Sequence, residues 1–397
     1  MPSLSAYLIV GGTAALVTFL LIPIVIWLSP RMGAVVAPDE RRVHTRPTPT
    51  AGGAAMMVGV VAAAIAAFIH PEFEDVVAAR TELLGVVVAA FVMWSVGFVD
   101  DIREITAPAK MAGMVLAGSL LSLTGVSILV FRVPFFDVLF LSTDWSFFVT
   151  VLWVVGMANI VNFIDGLDGL AAGIVAIASG TFLLYALRLG NEDVLDPANP
   201  GALWAVITLG VCIGFLPHNV HPARIFMGDG GALLLGLLMA ASTMSVGGRA
   251  TAEFSGQSFF FFAPIFIPLV ILGVPVLDTI WAVLRRTVRG RSFATADKEH
   301  LHHRLMNLGH GHRRAVLILW AWTALLSVFV LYPTYTGEGD AIVPIGILAL
   351  ALGLFSVLHP RVRPTPPGEP PDTDEQPVLE AAAPVEVSDH VDGHTDG

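Results

Sequence analysis

The sequence predicts an all-α polytopic integral membrane protein of about eleven transmembrane helices, N-terminus outside and C-terminus cytoplasmic. Three observations predict it. Asp, Glu, Lys and Arg make up 13% of the 397 residues, against about 25% in soluble domains. Apolar residues make up 55%, and the mean hydropathy is +0.77. The apolar residues also gather into eleven runs, as expected for helices crossing about 30 Å of hydrocarbon. This composition excludes a soluble enzyme, a nucleic-acid-binding protein and a disordered chain. The one cysteine, Cys212, lies inside an apolar run, which excludes an internal disulfide framework.

The runs lie near 4–28, 51–69, 83–99, 111–131, 145–160, 170–187, 202–216, 231–246, 259–284, 315–331 and 341–358. Several fall short of the roughly 20 residues a spanning helix needs, so their ends continue into polar motifs, which then sit at the membrane face. The first run is too long for the core of a cleavable signal, has no charged flank before it, and is followed by Arg31. With the next loop placed inside, the inner segments collect 17 Lys and Arg residues. The outer segments collect four: Arg80, Arg132, Arg188 and Arg249. Residues 1–359 read as one multi-span catalytic domain. Residues 360–397, with nine acids, two arginines and eight prolines, read as a disordered acidic cytoplasmic tail.

Five polar clusters fall on the inner side. The first runs from Pro38 through Asp39, Glu40, Arg41, Arg42 and His44 to Gly52 and Gly53. It suits an anionic substrate, although positive-inside topology also explains its arginines. The second is Asp100-Asp101 with Lys110. Adjacent carboxylates at a membrane face repel one another and are tolerated best beside a cation, for which magnesium is the usual choice where phosphates are handled. The third runs from Asn159 and Asn162 to Asp165, Gly166, Asp168 and Gly169. On a helix, Asp165 and Asp168 would share one face. The fourth is Asn219 and the stretch from Pro222 to Gly231, including Arg224 and Asp229. Asp229 suits both a helix N-cap and a phosphate-binding helix start. The fifth is His300-Leu301-His302-His303-Arg304 in the most basic loop, a better match to a diphosphate than to a structural metal. No Walker loop, dinucleotide fingerprint or Ser-His-Asp arrangement is present.

The motifs PDERRVHTRPTPTAGG, VDD with Lys110, NIVNFIDGLDGLAAG, NVHPARIFMGDGG and HLHHRL occur in this order over residues 30–315. The chain resembles the polyprenyl-phosphate N-acetylhexosamine-1-phosphate transferases. The resemblance implies transfer of N-acetylglucosamine-1-phosphate from UDP-GlcNAc to a polyprenyl phosphate, with release of UMP, at the cytoplasmic face of a bacterial plasma membrane. It implies catalytic roles for Asp100, Asp101, Asp165, Asp168 and His302. It implies substrate contacts at Lys110, Asn159, Asn162, Asn219, His300, His303, Arg304 and His44. It also implies Mg²⁺, or Mn²⁺ in its place, on Asp229 and Asp100. Gly230-Gly231-Ala232 replaces the hydroxyl residue and Gly-Ser that many members carry after the aspartate. The HLHH block matches the GlcNAc-1-phosphate branch rather than the phospho-N-acetylmuramoyl-pentapeptide branch, which remains the alternative within the family. A transporter would put its acids near the midplane, often in repeated halves, and a scaffold leaves the convergent carboxylates unexplained. No nucleic-acid partner is expected, and a homodimer is left open.

The tail and the histidine block are electrostatic opposites. Deletion of residues 366–397 should leave turnover within about threefold, or roughly 0.7 kcal/mol on the barrier. His302→Ala should lose at least about a hundredfold, or roughly 2.7 kcal/mol. Assays at equal membrane expression decide it; an inactive tail deletion beside a near-normal His302→Ala would show that the site is misplaced.

Overall fold

The computed structural model describes residues 1–36, 47–78, 80–132, 138–247, 273, 305–306, 310–336 and 342–358. The described helices are α1 (Leu4–Met32), α2 (Gly52–Ile69), the short α3 (Glu74–Ala78), α4 (Arg80–Arg103), α5 (Ala107–Leu123), α6 (Thr143–Ile164), α7 (Leu170–Asn191), α8 (Gly201–Asn219), α9 (Gly228–Gly247), α10 (His312–Thr336) and α11 (Ile342–Leu358). Two antiparallel ribbons join them: β1 (Val35–Val36) with β2 (Thr48–Pro49), and β3 (Val130–Arg132) with β4 (Val138–Phe140). Among the described residues, α1, α2, α4, α6, α7, α8, α9 and α10 are long and apolar enough to cross a membrane. The segments Ala107–Leu123 and Pro344–Ser356 are shorter apolar helices. The expected span at 259–284 lies outside the described residues except for Gly273, and the tail at 360–397 lies wholly outside them.

One expected span is cut short. The run 111–131 does not continue as a helix beyond Leu123, because Gly125 adopts φ 101 and turns the chain into β3. Left-handed backbone of this kind ends a helix and suits glycine. The first span begins as its sequence suggests: the Ser3 side chain caps α1 by accepting from the Ala6 N–H, and Gly33 at φ 74 closes it.

The bundle is organised around α9. Every residue from Gly230 to Gly247 is buried, as expected of a helix that is apolar on all sides. Around it stand α2, α4, α6 and α8, with further contact from α7. Outside these, α1 packs on α2 and α8, α5 on α4 and α6, and α10 on α7 and α11. Leu16, Leu20 and Trp27 of α1 are 58–63% exposed. In a bilayer such side chains face lipid, and the helical backbone satisfies its own polar groups.

Close approach at the centre depends on small residues. A Cβ at Gly97 of α4 would overlap the backbone of Asp229 and Gly230, and one at Gly236 of α9 would overlap the backbone of Met157 and Ala158. The C-terminal ends of α4, α6 and α8 therefore converge with the N-terminal ends of α2, α5, α7, α9 and α10 at one end of the bundle. Gly97→Ala should lower stability by about 1–3 kcal/mol through overpacking. Gly156→Ala, where a Cβ meets nothing within 4 Å, should be neutral or stabilising by up to about 1 kcal/mol. Thermal unfolding of both variants in one detergent checks this, and equal melting temperatures would remove Gly97 from the packing argument.

Candidate active site

The site is built on the first turn of α9. Gly228 at φ 68 turns the chain into this helix. The N–H groups of Asp229 and Gly230 then donate to Asp101, at 2.8 Å to Oδ1 and 3.1 Å to Oδ2. A carboxylate on a helix N-terminus gains both the hydrogen bonds and the helix dipole. Asp101 is thus a cap supplied from α4, 128 positions away in the chain. Asp229 is not the N-cap: it lies in the first turn, with its side chain available for other contacts. The Gly-Gly of the first cluster docks on the same turn, with Gly52 N–H donating to the Phe226 carbonyl at 3.0 Å and Gly53 N–H to the Met227 carbonyl at 2.9 Å.

Lys110 joins two of the expected metal ligands. Its ammonium donates to Asp100 Oδ2 at 2.8 Å and also contacts Asp229 Oδ2. Asp100 Oδ1 accepts from the Ile105 N–H at 2.8 Å. Asp229 Oδ1 accepts from Asn162 Nδ2 at 2.7 Å. Asn162 therefore holds a carboxylate in place, whereas Asn159 turns back on its own helix, donating to the Val155 carbonyl at 2.8 Å.

Asp165 and Asp168 do not share a helical face as the spacing suggests. Asp165 follows the last residue of α6, Gly169 at φ 76 precedes α7, and both aspartates sit in the connecting turn. The glycines break the helix here and send the two carboxylates to different partners. Asp165 accepts no hydrogen bond among the described residues. Burial, followed by the charges of Asp229, Asp101 and Asp168, pushes its carboxyl up to about 8. Lys110 is the one Lys or Arg in contact with the described cluster. Asp168 Oδ2 accepts from the Ala223 N–H at 3.1 Å and lies 2.7 Å from His221 Nδ1. Asn219 is buried; it accepts from Gly169 N–H at 2.9 Å and donates to the Ile225 carbonyl at 2.9 Å. Asp168 and Asn219 therefore clamp the 219–228 loop to the α6–α7 turn.

The structure thus brings together Asp100, Asp101, Lys110, Asn162, Asp165 and Asp229, with Asp168 and Asn219 immediately behind them. His44, His300, His302, His303 and Arg304 lie outside the described residues. Sequence reasoning missed His221 and His312, which stack with ring centroids 4.3 Å apart beside Asp168. His221 falls between Asn219 and Pro222 of the fourth polar cluster, inside the motif NVHPARIFMGDGG. His312 follows the basic loop and gives no local signal of its distant partners.

Fold and site define a polytopic membrane protein with an aspartate-rich centre at one end of its helical bundle. Residues 83–247 match the model for Glycosyl transferase family 4. A decaprenyl-phosphate N-acetylglucosaminephosphotransferase of Mycolicibacterium smegmatis is 38% identical over 367 residues, covering 91% of this chain and 90% of that protein. Its counterpart in Mycobacterium tuberculosis (strain CDC 1551 / Oshkosh) is 40% identical, covering 80% of each. A probable undecaprenyl-phosphate N-acetylglucosaminyl 1-phosphate transferase of Bacillus subtilis is 34% identical, covering 81% of this chain and 83% of that protein. The chain belongs to glycosyl transferase family 4, the family that its five ordered motifs resemble.

Removing the Asn219 amide leaves a buried N–H and a buried carbonyl without partners, at about 1–3 kcal/mol each. Asn219→Ala should therefore lower the melting temperature clearly, and Asn159→Ala should barely change it. Thermal unfolding in detergent tests the pair; a larger loss at Asn159 would refute the clamp.

Proposed function

We propose that this chain transfers N-acetylglucosamine-1-phosphate from UDP-GlcNAc to a polyprenyl phosphate, giving polyprenyl-diphosphate-GlcNAc and UMP. The convergence of Asp100 and Asp229 on Lys110, with Asn162 holding Asp229 and Asp165 beside them, carries this reading. The names of the relatives and the HLHH block support GlcNAc as the sugar. In this reading the chain crosses a bacterial plasma membrane eleven times with its N-terminus outside, and its site faces the cytoplasm, where a cytosolic nucleotide-sugar meets a lipid that enters between helices. The 17-to-4 division of Lys and Arg supports that orientation.

In the reaction an oxygen of the lipid phosphate attacks the sugar-bearing phosphorus of the UDP-sugar. One phosphoanhydride bond forms, the bond to the UMP phosphate breaks, and the electron pair leaves on UMP. Two polyanions must meet, so neutralising charge is the main physical problem. Asp100 and Asp229 already converge on one cation, the Lys110 ammonium, and their oxygen donors fit Mg²⁺, or Mn²⁺ in its place. When bound there, the metal supplies positive charge to the diphosphate. Asn162 orients Asp229, and Asp101 fixes the α9 turn that carries it. In this reading Asp100 accepts the last proton of the lipid phosphate, a modest contribution because that group has a second pKa near 6.

Asp229→Asn should lower turnover by at least about a thousandfold, roughly 4 kcal/mol, in protein that still inserts and folds. Wild-type activity should disappear with excess EDTA and return with Mg²⁺. UMP release and mass analysis of the lipid product, with UDP-GlcNAc and UDP-MurNAc-pentapeptide side by side, identify the donor. Full activity in EDTA would sink the metal assignment, and preference for the pentapeptide donor would sink the sugar assignment.

A further inference from the structure

Behind the aspartate centre lies a group of a different chemical kind. Asp168, His221 and His312 come from three separate segments: the α6–α7 turn, the loop before α9, and the first residue of α10. One ligand atom from each lies within 4.8 Å of the other two. Asp168 Oδ2 is 2.7 Å from His221 Nδ1 and 4.0 Å from His312 Nε2. Ligands about 2.0–2.2 Å from a tetrahedral ion stand roughly 3.4 Å apart, and the two separations from Asp168 bracket that spacing.

His312 gives a second, independent indication. Its side chain keeps only 10% of its exposure, and neither ring nitrogen meets hydrogen-bond geometry with any described residue. A buried imidazole without a hydrogen bond is costly, and this one lies against a carboxylate and a second imidazole.

We propose that Asp168, His221 and His312 form a transition-metal site, with zinc the favoured ion, distinct from the magnesium site proposed on Asp100 and Asp229. Two imidazoles and one carboxylate suit zinc and its neighbours, whereas magnesium favours oxygen alone. For His221 to bind through Nδ1, its proton must lie on Nε2 or leave, since a ligating nitrogen carries no proton. The metal would replace the direct Asp168–His221 hydrogen bond with two coordinate bonds and add a third to His312. The consequence is mechanical: the start of α10 becomes tied to the turn that carries Asp165 and to the loop that leads into Asp229. Arg313, next to His312, already donates to the His221 carbonyl at 3.3 Å, so the two segments are in register without the ion. This proposal does not depend on the catalytic reading.

The test uses the purified full-length chain in detergent, stripped with a chelator and titrated with Zn²⁺ while Mg²⁺ is kept in excess. One Zn²⁺ per chain should bind, and it should raise the melting temperature. His221→Ala and His312→Ala should each weaken binding at least about tenfold, in the range seen when metal-site groups are removed. A variant in which His300, His302 and His303 are all alanine keeps the three proposed ligands and should still bind one zinc. X-ray absorption on that variant reads the ligands directly, without relying on the single variants to fold, and should show two imidazoles and a carboxylate oxygen. No stoichiometric zinc, zinc lost in the triple variant but kept in both single variants, or an oxygen-only shell would each overturn the proposal.

Discussion

A helix that starts inside a bundle presents backbone N–H groups that must find partners there, and α9 is such a helix. Asp101 supplies those partners to Asp229 and Gly230. Successive residues on a helix point about 100° apart, so while Asp101 faces α9, its neighbour Asp100 faces Lys110 on α5. One pair of adjacent carboxylates thereby sets the position of α4 against α9 and of α5 against both. Gly97, one turn earlier in α4, lets the two backbones come close enough for this contact. The Gly52–Gly53 backbone holds the α9 turn from the α2 side. The site is therefore the point at which the bundle is assembled, and its geometry has little freedom to drift.

Charge is the second constraint. Asp100, Asp101, Asp165 and Asp229 gather with Lys110 as the one Lys or Arg in contact with the described cluster, and like charges at such separations raise one another's energy. The structure answers this in three ways. Asp101 accepts from backbone amides, Asp100 and Asp229 share an ammonium, and the Asp165 carboxyl is pushed up to about 8 by burial and its acidic neighbours. A divalent cation would relieve the same strain with more charge in a smaller volume, which gives the magnesium proposal a physical basis beyond the resemblance.

The sequence made much of this legible. Nine of the eleven apolar runs coincide with described helices, and the run 111–131 does so only as far as Leu123, because lipid demands long apolar segments whatever their neighbours. The second, third and fourth clusters meet in space as their common inner placement suggests. Three features were not legible. The capping of α9 by Asp101 could not be read from the chain, since capping from another helix leaves no local signature. Asp165 and Asp168 read as one helical face but occupy a turn, since period arguments assume a helix that Gly166 and Gly169 interrupt. The span at 111–131 reads as continuous, since apolarity alone cannot register that Gly125 turns the chain into a strand. In each case a contact distant in sequence, or a glycine conformation, overrides the local pattern.

The turn at 165–169 shows why this override is useful. Two carboxylates on one helical face would both have entered the cluster around Asp229. A further unit charge about 5 Å away, at an effective dielectric of about 20, would cost roughly 3 kcal/mol. The turn divides them instead. Asp165 enters the cluster without a hydrogen-bonding partner among the described residues, and Asp168 faces the Ala223 amide and the two imidazoles. The same five residues thus supply one acid to the centre and one to the support behind it. The support then fixes the loop from Asn219 to Gly228, which delivers Asp229 to the front. Each half of the motif acts on the other's environment, so neither aspartate can be assigned a role from its spacing alone.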